Sequence, residues 1–132
     1  MRTPLPRLTG LTAGWYGWLA RHELRFQRCT GCGRWRHVPR ELCPDCGGQE
    51  WSWEPSCGRG TVYSWSTTHR RLHPAFPDVP FAQVVVELRE GPRVLSSVVD
   101  ATPDELEIGM PVTVRFDDVA DEVTLPRFQR GG

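Results

Sequence analysis

Two stretches of the chain share one form: Cys29-Thr30-Gly31-Cys32-Gly33 and Cys43-Pro44-Asp45-Cys46-Gly47. A two-residue gap lets both sulfurs of a pair face one cation while backbone amides support the thiolates. The glycine after each second cysteine permits the left-handed backbone that such a turn needs. Ten residues separate the pairs, enough for one hairpin that brings them face to face. Four thiolates so placed suit a tetrahedral zinc at ~2.3 Å per bond, in a closed and therefore structural site. Iron in the same ligand set would make a rubredoxin-like electron carrier, and a dithiol–disulfide pair is the third reading. The expectation is one structural Zn²⁺ per chain on Cys29, Cys32, Cys43 and Cys46.

The other reactive side chains are weaker candidates. Cys57, between Pro55 and Gly58 with Arg59 nearby, is expected to be an inert turn or core residue, because a reactive thiol needs an adjacent base or cation. His37 is expected on the surface of the ribbon hairpin. His69 and His73 flank Arg70 and Arg71 in a loop running to Pro80. That loop also holds Phe76 and is stiffened by Pro74, Pro77 and Pro80. Long stiff loops are often functional, and in OB-folds the loop between the first two strands commonly lines the ligand face. His69, Arg70, Arg71, His73 and Phe76 are therefore candidate ligand or partner contacts. No nucleophile motif surrounds any histidine, so no catalytic residue is assigned and the isolated chain is not expected to be an enzyme.

Composition narrows the classes further. All sixteen basic residues among the 132 are arginine, balanced by sixteen acids. Without lysine there is no Schiff base and no lysine-bearing phosphate loop. Zero net charge argues against general nucleic-acid binding, which needs many uncompensated cations. The charge is segregated: residues 1–75 hold eleven arginines and five acids, and residues 76–132 hold five and eleven. A basic first half suggests an anion site or an acidic partner. No apolar run reaches the ~18 residues of a membrane span, and the opening residues lack a signal-peptide core. Paired cysteines suit a metal in a reducing compartment, so a soluble cytoplasmic protein is expected.

The elements that must position these residues follow from periodicity. Residues 1–11 read as a flexible lead or linker. Thr12 is expected to cap a helix starting at Ala13, with Trp15, Trp18, Leu19 and His22 on one stripe. Gly14 and Gly17 weaken that helix, so it needs something to pack on. Six tryptophans are hard to bury in so small a chain, which makes Trp15 and Trp18 expected partner contacts rather than core. Leu24 and Phe26 alternate into a short strand ending at Cys29. Strands are then expected over 61–68, 81–88, 93–99, 112–116 and 123–128, the last an edge because of Pro126, with a short helix begun by Thr102-Pro103-Asp104-Glu105. The fold class is mostly β: a helix and rubredoxin-like zinc ribbon over 12–55, a five-stranded OB-fold barrel over 56–128, and a tail at 129–132.

Further motifs then make the chain similar to a known family. They are Leu24-Arg25-Phe26-Gln27-Arg28-Cys29, Val38-Pro39-Arg40, Gly58-Arg59-Gly60-Thr61-Val62-Tyr63-Ser64-Trp65, His69, Pro80-Phe81-Ala82, Val86-Glu87-Leu88, Ile108-Gly109-Met110-Pro111-Val112 and Pro126-Arg127-Phe128. Over about residues 12–128 the chain resembles the zinc-ribbon/OB-fold accessory proteins, formerly of unknown function, that accompany thiolase-superfamily enzymes and acyl-CoA hydratases. Val38 departs from the pattern, since many relatives have a second proline there. The resemblance implies a non-catalytic subunit of an acyl-CoA enzyme, foremost a thiolase-like retro-aldolase of bacterial steroid side-chain degradation. It also implies acyl-CoA near the interface, a heterotetramer with a dimeric partner, and the possibility that the chain is one domain of a longer fusion. The competing class is a single-stranded nucleic-acid module stacking bases on Trp65, Tyr63 or Phe81.

Overall fold

The computed structural model describes residues 10–68, 81–121 and 123–131. Helix α1 spans Gly10–Ala20, and strands β1 (Arg25–Cys29), β2 (Trp35–Arg36) and β3 (Trp51–Pro55) follow it in sequence. The three strands form an antiparallel sheet of order β2-β1-β3, with Gln27 opposite both Arg36 and Trp53. Thr12 lies within the first turns of α1 instead of capping it. The helix ends where His22 takes a left-handed backbone at φ 58°. Its N–H there donates to the carbonyl of Leu19 at 2.8 Å, and that of Glu23 to Trp18 at 3.0 Å. A non-glycine residue in this conformation needs external support. The His22 ring is stacked on Phe116 at 5.1 Å, and its Nε2 lies 2.9 Å from Asp118.

The second half is the expected barrel. Strands β4 (Arg59–Thr68), β5 (Phe81–Leu88), β6 (Arg93–Ser96), β7 (Pro111–Ala120) and β8 (Val123–Arg130) form one antiparallel sheet of order β6-β5-β4-β7-β8. A single 3₁₀ turn, Pro103–Glu105, stands between β6 and β7. Inward residues alternate as strand geometry requires, with Val62, Val84, Val86, Val94, Val112 and Phe128 all buried. The third barrel strand stops at Ser96, short of the Val99 read from alternation. Past that point the chain changes partner. The Phe128 N–H donates to Ser97 O at 2.9 Å, and the Val99 N–H to Phe128 O at 2.8 Å. Val98 and Phe128 thus form a parallel bridge. Pro126 does lie on the terminal strand of the order, yet its carbonyl accepts from Ser96 Oγ at 2.6 Å, so the barrel is nearly closed.

Ribbon and barrel share one core. Trp15, Leu19, Leu24 and Phe26 join the barrel residues in a single buried cluster, because α1 packs on β8 and β1 together. This corrects the reading of Trp15 as surface: it is 6% exposed and Leu19 0%. The i, i+4 spacing sets both on one face of the helix. Strands β1 and β8 and the His37 ring cover that face within the chain. Trp18, one step off this stripe, is half-buried under Arg25 at 4.3 Å and Arg21 at 5.5 Å.

Candidate metal centre and its surroundings

The two knuckles are near copies of each other. In the first, the Cys29 N–H donates to Arg34 O and the Gly33 N–H returns to Cys29 O, both at 2.9 Å. In the second, Cys43 donates to Gly48 O and Gly47 to Cys43 O, again at 2.9 Å. Gly33 and Gly47 have φ of 77° and 73°, the left-handed turn that a side chain would strain. The turns bring all four sulfurs within 4.8 Å of one another. Cys29 and Cys46 sulfurs are 3.6 Å apart, as are those of Cys32 and Cys43. A tetrahedral zinc with ~2.3 Å bonds needs sulfur edges of about 3.8 Å, so the residues fit that ion.

The electrostatics show why a cation belongs here. The Cys32 backbone N–H holds the Cys29 thiol down to about 6, against the opposing effect of burial. Cys43 is lowered likewise by the Cys46 and Asp45 N–H groups. At Cys46 the Gly48 N–H favours the thiolate, but bonding to the Cys29 and Cys43 sulfurs and burial outweigh it and push the thiol up to about 11. Four adjacent sulfurs cannot all ionise alone, whereas a dication removes the conflict.

A buried polar network, which sequence reasoning missed, holds the second knuckle against the first. Gln27, 1% exposed, accepts through Oε1 from Arg36 Nε and from the Arg40 N–H, both at 2.7 Å. Arg36 also donates through Nη2 to the Arg40 carbonyl at 2.8 Å. These bonds fix residues 36–40, the path from the hairpin to Cys43. The alternation of β1 places Gln27 on the face of Cys29, and that was the available signal. A glutamine beside Arg28 on a short strand nevertheless reads as solvated surface. His37 is also corrected. Its ring packs against Trp15 at 4.6 Å and Phe26 at 5.5 Å, and burial pulls it down to about 4, so it is a partly buried, neutral imidazole at the edge of the core.

Cys57 is exposed in a turn, where its N–H is bound by Glu90 at 2.9 Å. His69, Arg70, Arg71, His73 and Phe76 lie outside the described residues, in the connection from β4 to β5. Of the aromatics that the nucleic-acid reading would use, Trp65 packs against the core, and Tyr63 is exposed with the Arg93 guanidinium 3.8 Å from its ring centre. The side chain of Phe81 is not among those described. No helix among the described residues is long and apolar enough to cross a membrane.

These features define a class: a four-cysteine ribbon joined through a common core to an OB-fold barrel. Family models agree. Residues 19–52 match the ChsH2 rubredoxin-like zinc ribbon domain, and residues 53–117 match the ChsH2 C-terminal OB-fold domain. A DUF35 domain-containing scaffold protein of Methanothermobacter thermautotrophicus is 35% identical over 77% of each chain. The chain belongs to this DUF35 family of zinc-ribbon/OB-fold proteins. It is also similar to a probable enoyl-CoA hydratase alpha subunit of Thermomonospora curvata, 38% identical over 96% of this chain, and spans 39% of that relative's length. The 3-oxo-4,17-pregnadiene-20-carboxyl-CoA hydratase alpha subunit of Mycobacterium tuberculosis is 36% identical over 83% of this chain and 35% of its own. Among solved structures, a chain of the Ltp2-ChsH2(DUF35) aldolase superposes with a TM-score of 0.82. It is 39% identical, covering 89% of this chain and 92% of that one.

Proposed function

We propose that the chain is a non-catalytic subunit, with one structural zinc on Cys29, Cys32, Cys43 and Cys46, that assembles with an acyl-CoA lyase of the thiolase superfamily. The observation that supports this best is the likeness, over nearly the full length of both chains, to a chain of the Ltp2-ChsH2(DUF35) aldolase. The hydratase alpha subunits match this chain at similar identity over about two fifths of their own length, and a hydratase is the alternative partner. A relative named for a pregnadiene carboxyl-CoA supports a steroid side-chain thioester as the substrate class. The proposed assembly is two copies of each subunit, located in the cytoplasm.

The zinc closes the ribbon and takes no part in the chemistry, since four thiolates complete its coordination. This chain's own residues hold shape: Gln27 and Arg36 fix the ribbon, and α1 locks it to the barrel. Trp18 with Arg21 and Arg25 offers a half-exposed aromatic and two guanidinium groups, the composition of interface hot spots. Arg70, Arg71 and their neighbours, between β4 and β5, are proposed to border the partner's acyl-CoA site, where guanidinium groups suit phosphate.

The test is kinetic. The purified chain is expected to show no turnover of acyl-CoA thioesters alone, and the co-purified complex to be active. Within the complex, Arg70→Ala with Arg71→Ala should lower kcat/KM without dissociating the subunits. Robust activity of the chain alone would refute the accessory role. Unchanged kinetics of the double variant would reduce the 69–80 segment to a connector.

A further inference from the structure

We infer that the outer face of the barrel carries an anion site, built on Arg59 and Arg89, that takes the phosphoryl groups of a phosphorylated ligand. A groove of about 270 Å³ runs there between β4, β5 and the start of β7, lined by Arg59, Thr61, Glu87, Arg89, Leu88 and Pro111. The register that sets Gly60 against Leu88 and Thr61 against Glu87 continues to set Arg59 against Arg89, whose N–H donates to the Arg59 carbonyl at 3.0 Å. Gly60 makes this closeness possible, since a Cβ there would lie 2.4 Å from the Glu87 carbonyl oxygen.

Sheet stability does not account for this pair. Like charges directly opposite on neighbouring strands are destabilising. Elsewhere on the barrel such a contact is compensated: Arg127, opposite Arg115, has Asp117 at 3.4 Å. Among the described residues, neither Arg59 nor Arg89 has an acid within ion-pair distance. The two acids nearest Arg89 in sequence are engaged. Glu87 is held by Arg93, and Glu90 accepts from Ser56 Oγ at 2.7 Å and from the Cys57 N–H at 2.9 Å. Two exposed arginines without an acid partner therefore line one groove together with Thr61. Each planar fork can bind two oxygens of one phosphoryl group, and a dianion relieves their mutual repulsion. All the lining residues come from this one chain.

The test is calorimetric titration of the zinc-loaded full chain with inorganic pyrophosphate and, separately, with adenosine 5′-diphosphate. Saturable binding is expected, weakening as salt rises. Arg59→Gln with Arg89→Gln should weaken it roughly tenfold or more, as loss of two charge-assisted contacts requires. Arg115→Gln, which removes an exposed arginine outside the groove, should leave binding unchanged. A thermal melt like that of the unmodified chain would show that the double variant is folded. Tighter binding of the nucleotide than of pyrophosphate would identify a larger phosphorylated ligand, and equal binding a free inorganic anion. Either result supports the site. The site is overturned if neither probe binds at millimolar concentration, if the double variant binds like wild type, or if Arg115→Gln weakens binding as much. These readings need no catalytic partner, so failure of the site and failure of the subunit role are separable.

Discussion

Cys32→Ser is expected to strip the metal from the chain and unfold the ribbon. Elemental analysis should find close to one zinc in the unmodified protein and less than about a tenth in the variant, because a three-thiolate remnant loses most of a binding energy that in small zinc modules is ~10–16 kcal/mol. The reason is local. The 29–34 and 43–48 turns each close on two backbone hydrogen bonds, and beyond the Gln27–Arg36–Arg40 network it is the shared cation that would tie their four sulfurs together. The strands that meet there are short, five residues in β1 and two in β2, too little ladder to survive alone. Amide exchange should accelerate over residues 25–55 while β7 and β8 stay protected. Iron in the purified protein, or less than about half a zinc per chain, would refute the zinc assignment.

Trp15→Ala should be the most damaging single change outside the knuckles, at about 3–5 kcal/mol. The indole contacts Tyr16 and His37 edge-on or tilted, at 4.9 and 4.6 Å, and belongs to the cluster that joins Phe26 of the ribbon to Phe128 of the barrel. Its loss opens a cavity where the two halves meet, in a fold of this size stable by only ~5–15 kcal/mol. Urea unfolding of the zinc-loaded chain measures it. Trp18→Ala is the contrast: near-native stability, with partner binding weakened by roughly 2 kcal/mol if Trp18 is a hot spot. Full stability in Trp15→Ala with lost partner binding would return Trp15 to the surface.

The parts of this fold legible in the sequence were those written in short-range patterns. Cysteine spacing set out the ribbon, and the alternation in Thr61–Thr68 with the apolar run Val84-Val85-Val86 in Phe81–Leu88 set out the barrel strands. What stayed hidden depends on distant partners. Trp15 read as a partner contact because six tryptophans are many for so small a chain, whereas helix α1 packs on ribbon and barrel together and buries it. Gln27 and His37 looked solvated because polar residues carry no sign of the Arg36 fork or the Trp15 ring waiting for them. Ser96 marks the strand's end only because β8 captures the residues that follow. The opposition of Arg59 and Arg89 likewise follows from strand register, which the sequence does not display.

Co-expression with a thiolase-superfamily catalytic subunit, followed by measurement of the purified complex's mass, tests the central claim most directly. The account predicts that the two chains elute together in equal amounts, with a mass matching two of each and one zinc per copy of this chain. A correctly folded, zinc-loaded chain that elutes alone beside an active catalytic dimer would contradict it.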